Sequence, residues 1–156
     1  MDLELERLWM AVSSVEWRSL ALVPASGGLP TVELARTLSS LGFRNYGESI
    51  GVADLTDVRC NLEAPIEVIR WHVRRGERVI VAVGPCGRSV ATVPLVRAVD
   101  CAILCIALGR TRIDEANDTI ARLGRDAFLG TLLVRPERAL APVPDPVLTR
   151  RLGAFS

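Results

Sequence analysis

Short apolar runs alternate with amphipathic stretches along most of the chain. The apolar runs predict five β-strands: buried strands at 18–23, 78–83 and 101–108, a short strand at 46–53 that Gly47 and Gly51 weaken, and a final strand at 128–134. Apolar residues at helical spacing predict helices at 2–15, 32–41, 65–75, 93–99 and 114–123, and Gly42 is the expected C-cap of the second helix. Alternation of this kind is typical of right-handed crossovers. We therefore predict an α/β fold with a doubly wound, mostly parallel sheet between two helical layers.

Composition sets the number of domains and excludes several classes of protein. The 156 residues suit one domain, which we assign to 1–135, followed by a proline-rich, extended tail at 136–156. Strands buried on both faces account for a hydrophobic fraction of 49% and a mean hydropathy of +0.29. No apolar run reaches the roughly 18 residues that span a bilayer, and the charged N-terminus is unlike a secretory signal, so we expect a cytoplasmic protein. A net charge of +1 gives no reason to expect nucleic-acid binding.

The cysteines give no metal-binding pattern. Cys60, Cys86, Cys101 and Cys105 form no CxxC pair, and His72 is the only histidine. We therefore predict no metal site and a reduced compartment. Cys101 and Cys105 belong to one predicted strand, and their spacing places both thiols on the same face as small buried side chains.

The segment 20–38 has the layout of a phosphate-binding loop: an apolar strand, the turn Gly27-Gly28, and then a helix. Its chemistry is incomplete, because Leu29-Pro30-Thr31 stands where such a loop needs Gly-Lys-Ser/Thr and the chain contains no lysine. Amides of the glycine turn still favour weak anion binding. Thr31 is either the N-cap of the helix or, in a working loop, a magnesium ligand.

The acidic residues expected near this loop are few. Asp54 and Asp57 follow the second strand, where they either hold a hydrated Mg²⁺ or cap and solvate a loop. The strand 78–83 ends in Ala82-Val83, where a Walker B strand ends in an aspartate. The losses of the lysine and of this aspartate are independent. Together they argue against phosphoryl transfer.

Cys86 is the candidate for a different chemistry. It lies in a Gly-Pro-Cys-Gly-Arg turn, where Arg88 and the loop amides are expected to lower the pKa of its thiol. A phosphatase loop needs arginine six residues after the cysteine, and Thr92 is there instead. A hydrolase that pairs Cys86 with His72 is the remaining alternative, although no pattern in the sequence brings the two side chains together.

Residues 78–112 carry a family resemblance. They are similar to the strand ending in Asp-x-Pro-Pro, and to the later "Leu-Ala-Asp, apolar strand, Arg-x-Gly-x-Thr" pattern, of bacterial tyrosine kinases of polysaccharide export. These kinases belong with the septum-site and chromosome-partitioning ATPases of the deviant-Walker group. Glu4 and Arg7 resemble the start of the family's oligomerisation helix, and Asp57-Val-Arg59 resembles the end of its second Walker motif.

The resemblance implies a P-loop-like fold without its activity, because the lysine and the Walker B aspartate are absent, Leu55 stands where the second Walker motif has its first aspartate, and the tail lacks the family's tyrosine cluster. We expect a non-catalytic pseudo-ATPase or pseudokinase of exopolysaccharide or capsule assembly, with no ATP/Mg cofactor or only weak binding. The implied partners are a membrane-embedded chain-length regulator or synthase component, which would hold the protein at the inner membrane, and further copies of the chain. The alternatives are a positioning or pilus-assembly factor without ATPase activity and an enzyme that uses Cys86.

Overall fold

A computed structural model describes the backbone of residues 3–59 and 61–134 and the side chains of residues 6–59 and 61–134. The predicted tail at 136–156 lies outside the described residues. The helices are α1 (Leu3–Ser13), α2 (Thr31–Tyr46), α3 (Glu63–Arg74), α4 (Thr92–Arg97) and α5 (Ile113–Leu123). The strands are β1 (Ser19–Pro24), β2 (Ile50–Leu55), β3 (Arg78–Val83), β4 (Cys101–Ala107) and β5 (Phe128–Val134), with a short 3₁₀ turn at Arg125–Ala127.

The strands form one parallel sheet in the order β2-β3-β1-β4-β5. β1 is central and every one of its residues is buried, which agrees with its continuous apolar sequence. The chain moves from β1 to one edge, returns through β3, and crosses β1 to reach β4. Loops on both sides of this reversal meet at the carboxyl ends of β1, β3 and β4, which is where open α/β sheets bind ligands.

Helices cover both faces of the sheet. On one face, Trp9 of α1 and Leu34 and Leu38 of α2 pack against Leu22 and Ile80. On the other face, the buried side chains of the helices are Ile69 of α3, Leu95 and Val96 of α4, and Leu123 of α5. The predicted three-layer α/β/α class is confirmed, and the layers match those of P-loop proteins. Among the described helices, none is long and apolar enough to cross a membrane.

The end of α2 differs from the prediction. The helix continues through Gly42 to Tyr46, and Gly47 is the C-cap, in the left-handed region with φ of 67°. Gly42 is instead a packing residue, because a Cβ there would lie 2.6 Å from Cδ1 of Ile50 and 2.9 Å from Cζ2 of Trp9. The longer helix displaces the start of β2 from the predicted residue 46 to Ile50.

The Asp100 carboxylate links the amino ends of β1 and β4 through hydrogen bonds. Asp100 Oδ2 accepts hydrogen bonds from the backbone N–H groups of Arg18 (2.6 Å) and Ser19 (3.2 Å). In return, the Asp100 N–H donates to Ser19 Oγ at 3.0 Å. Asp100 belongs to the segment that carries the family resemblance, and its role in this fold is structural.

Candidate functional site

The sequence predicts that four segments line the carboxyl edge of the sheet, at 25–31, 54–59, 84–89 and 109–112, and contacts between side chains and backbone join all four there. Ser26 Oγ and Thr111 Oγ1, from the loops after β1 and β4, are hydrogen-bonded at 2.7 Å. Ser89 Oγ, from the loop after β3, donates to the backbone oxygen of Val58 at 3.0 Å. These contacts hold the loops at the carboxyl edge to one another. The other groups of the same loops decide whether they can also hold a ligand.

The glycine turn is occupied by a cation from another loop. A Cβ on Gly27 would lie 2.6–2.8 Å from the guanidinium atoms of Arg88, so the guanidinium rests directly against the Gly27 backbone. Gly28 has φ of +85°, a conformation that favours glycine. The backbone conformation therefore favours glycine at position 28, whereas a side chain at position 27 would have to displace the flexible guanidinium of Arg88. Arg88, which was expected to act on Cys86, lies instead against the turn.

The start of α2 is poorly suited to a phosphate group. Pro30 occupies the N-cap position and has no N–H to donate, and the Thr31 N–H already donates to the Leu29 carbonyl oxygen at 2.9 Å. Glu33 adds a carboxylate in the first turn, where the helix dipole would otherwise favour a bound anion. The prediction of Thr31 as N-cap is wrong by one position, because Thr31 is the first helical residue and no side chain caps the helix.

Asp54 stabilises the loop after β2 through hydrogen bonds. Asp54 Oδ1 accepts from the Thr56 N–H at 3.1 Å and from Thr56 Oγ1 at 2.6 Å, which is an Asx turn. Asp57 and Arg59 are exposed. Among the described residues, no group of three or more metal-ligating side chains comes together. Of the two interpretations of this acidic pair, the contacts of Asp54 favour the loop cap over the magnesium ligand.

Cys86 does not have the surroundings of a nucleophile. Its side chain is buried, and this burial raises the pKa of the thiol, although Arg122 opposes the shift. The expected lowering of this pKa is therefore wrong, because desolvation outweighs the nearby positive charge. Burial likewise raises the pKa of Cys101 to about 11 and that of Cys105 to about 12. As predicted, Cys101 and Cys105 both pack against the core under α1 and α2.

His72 lies near the amino end of β3, whereas Cys86 lies beyond its carboxyl end. Its Nδ1 is 3.3 Å from Oε1 of Glu77, the residue before β3, and its ring packs against Gly51. Cys86 follows the other end of β3, a strand of six residues. Since a strand rises about 3.3 Å per residue, the length of β3 separates the two side chains. The structure therefore gives no support to a Cys86–His72 hydrolase.

The N-terminal helix is docked on the domain through one face. Trp9 and Val12 of α1 are buried in the core with residues of α2, while Arg7 and Met10 are exposed. Glu4 lies in α1, but its side chain is outside the described residues. The helix therefore presents an outer surface that includes Arg7, as an interaction element requires.

The sequence did not predict that Ser26, Thr111 and Arg88 come together at the carboxyl edge of the sheet. Ser26 and Thr111 are 85 positions apart, and their contact depends on the adjacency of β1 and β4. The available signal was that each comes shortly after an apolar strand, as parallel strands would place them at one edge.

No family model matches the sequence, and no curated protein is significantly similar to it. The family resemblance carried by residues 78–112 therefore stays a prediction.

Proposed function

We propose that this chain is a non-catalytic interaction protein, a pseudo-ATPase or pseudokinase that keeps the scaffold of a P-loop ATPase without its nucleotide site. The observation that carries the proposal is the closed start of α2. Pro30 cannot donate a hydrogen bond, and the Thr31 N–H is already bonded to the Leu29 carbonyl oxygen. These are two of the amides that a phosphate would need at this helix terminus.

Three further features of the edge support loss of activity. Arg88 rests against Gly27, Asp54 is engaged by Thr56, and β3 ends in Val83 where a metal-orienting acid would be needed. Arg88 brings a positive charge to the turn, but it belongs to the loop after β3, whereas a Walker lysine belongs to the phosphate-binding loop itself. A triphosphate would therefore meet neither a complete amide cradle nor an acid at the end of β3.

The proposed setting is exopolysaccharide or capsule biosynthesis and export, with a membrane chain-length regulator or synthase component as partner. This part rests on the sequence pattern at 78–112 and on Glu4 and Arg7. The alternative setting, a positioning or pilus-assembly system, uses the same scaffold. Affinity purification of the tagged full chain from its native host distinguishes the two, because it recovers either a polysaccharide-export membrane protein or a positioning partner.

Activity is tested by ATP turnover and by nucleotide-dependent thermal shift of the full chain with Mg²⁺. We expect no turnover above a no-protein control and no shift in the unfolding temperature. An Asp57→Ala variant is the matched control, because Asp57 is exposed and its removal should leave the fold intact. Hydrolysis that is present in the original chain and lost in Asp57→Ala would reject the proposal.

A further inference from the structure

Helix α3 carries large or apolar side chains on two opposite sides, which we call the inner and the outer seam. The inner seam, residues 62, 66, 69 and 73, packs on the sheet. Shifting that spacing by two residues gives the outer seam, residues 64, 68, 71 and 75, formed by Ala64, Val68, Trp71 and Arg75. Two residues of helix correspond to about 200° of rotation, so the outer seam faces away from the domain. A surface helix with one buried face is normally polar on the opposite face.

The centre of the outer seam is an exposed and well-positioned aromatic residue. Trp71 is 47% exposed and Val68 is 42% exposed. The Arg75 guanidinium lies 4.4 Å from the centroid of the Trp71 ring, and the His72 ring contacts it edge-on at 4.8 Å between centroids. An aromatic side chain restrained in this way loses little conformational freedom when a partner covers it. Tryptophan and arginine are also the residues that most often dominate the energy of protein interfaces.

Charges along α3 are divided by sign. The acidic residues Glu63 and Glu67 occupy its first half, and the basic residues Arg70, Arg74 and Arg75 its end. Glu67 pairs with Arg70 (3.4 Å) and Arg74 (3.2 Å) within the helix, but all three side chains are more than half exposed. Such pairs contribute little and can be exchanged for pairs across an interface.

We infer that this outer face of α3 binds the same face of a second copy of the chain, with the two helices antiparallel. A two-fold axis between residues 69 and 70 places Trp71 against Val68 of the second copy, and Ala64 against its Arg75. The same axis brings the acidic half of each helix to the basic half of the other, whereas a parallel pair would bring like charges together. The self-complementary charge pattern is what selects a second copy over an unrelated acidic partner.

This inference goes beyond the proposed function and does not depend on loss of nucleotide binding. The contact involves one helix of 12 residues per copy, which is smaller than a standard interface of about 800 Å² per partner. We therefore expect a dimer that forms at micromolar concentrations and dissociates on dilution.

The test is sedimentation velocity of the full chain, without nucleotide, from about 1 μM to about 1 mM. The original chain should pass from monomer to dimer over this range, and Trp71→Ala should weaken dimerisation at least about tenfold. Phe43→Ala is the matched control: it also removes an exposed aromatic side chain (65% exposed), but from α2, and should leave dimerisation unchanged.

Charge reversal tests the orientation. The double variants Glu63→Arg/Glu67→Arg and Arg70→Glu/Arg74→Glu should each be monomeric, because charges of one sign then predominate along the helix, although Arg75 stays basic in the second variant. Mixed in equal amounts, they should form a heterodimer. All four positions are exposed, and an unchanged thermal unfolding profile establishes that each variant is folded.

Three results would overturn the inference: a chain that stays monomeric at about 1 mM, a dimer that Trp71→Ala leaves intact, or folded reversal variants that do not pair when mixed. Binding of a monomeric chain to anionic phospholipid vesicles through Trp71 would identify a membrane as the occupant instead, and would also count against a second copy.

Discussion

Replacing Thr111 with valine tests whether the carboxyl edge is held together by its own side chains. The substitution keeps the shape of the side chain and removes its hydroxyl. Thr111 Oγ1 accepts from the Ala107 N–H at 2.9 Å and is bonded to Ser26 Oγ at 2.7 Å. Ser26 and Ala107 are both buried, so the groups that lose a partner are largely shielded from water.

The expected cost follows from these two bonds. A buried polar group left without a partner costs about 1–3 kcal/mol, and the Ser26 hydroxyl can recover part of its share by rotating. We therefore expect Thr111→Val to lower the free energy of unfolding by about 2–3 kcal/mol. In a chain of this size, that corresponds to a fall of roughly 5–10 °C in unfolding temperature.

Urea unfolding of a double-mutant cycle measures this cost. Ser26→Ala should cost only about 1 kcal/mol, because Thr111 keeps its bond from Ala107. Thr111→Val should then cost less in the Ser26→Ala background than in the original chain, by about 1 kcal/mol. Thr37→Val is the control, since the Thr37 hydroxyl donates to Glu33 O on the exposed side of α2. The reasoning is refuted if Thr111→Val costs no more than Thr37→Val.

Three other changes test separate parts of the structure. Gly42→Ala should destabilise the protein by about 1–2 kcal/mol in urea unfolding, because overpacking exceeds the gain in helix propensity of about 1 kcal/mol; a more stable variant would show that Trp9 moves aside. Hydrogen bonding to His72, and then to Ser49, lowers the pKa of Glu77 from 4.5. Its charge therefore stabilises the folded state above about pH 4.5, and this contribution disappears as pH falls through the lowered pKa. Glu77→Gln should then be less stable than the original chain at neutral pH, and the difference should shrink in acid; a difference independent of pH would contradict this. Finally, iodoacetamide with peptide mapping should leave Cys86 unmodified at neutral pH until the chain unfolds, whereas rapid labelling would support a reactive thiol.

The strands were predictable from their apolar runs, whether or not the whole strand is buried. The predictions for 78–83 and 128–134 match the bounds of β3 and β5, although five of six residues are buried in β3 and two of seven in β5. The ends of α2 and β2 were not predictable, since Gly42 is a good stop signal in isolation. Its helical conformation depends on Trp9 and Ile50 packing against it, which a local pattern does not contain.

The candidate site was predicted as a set of loops but not as a set of contacts. Apolar strands locate the four segments at one edge, and the absence of lysine is visible in the printed sequence. That Arg88 covers Gly27, and that the Thr31 N–H bonds to Leu29, depends on the exact paths of the loops. Likewise, the pKa of the Cys86 thiol depends on how deeply its turn is buried, and the adjacent residues in the sequence do not determine that depth.

The most direct test of a lost nucleotide site is an NMR titration of the ¹⁵N-labelled full chain with MgATP, following the backbone amides of Gly27, Gly28 and Thr31. We predict that these resonances do not move with increasing nucleotide, because the start of α2 is already closed by Pro30 and by the Thr31–Leu29 hydrogen bond. Saturable shifts centred on Gly27 and Gly28 would contradict the account and identify the turn as a working phosphate site.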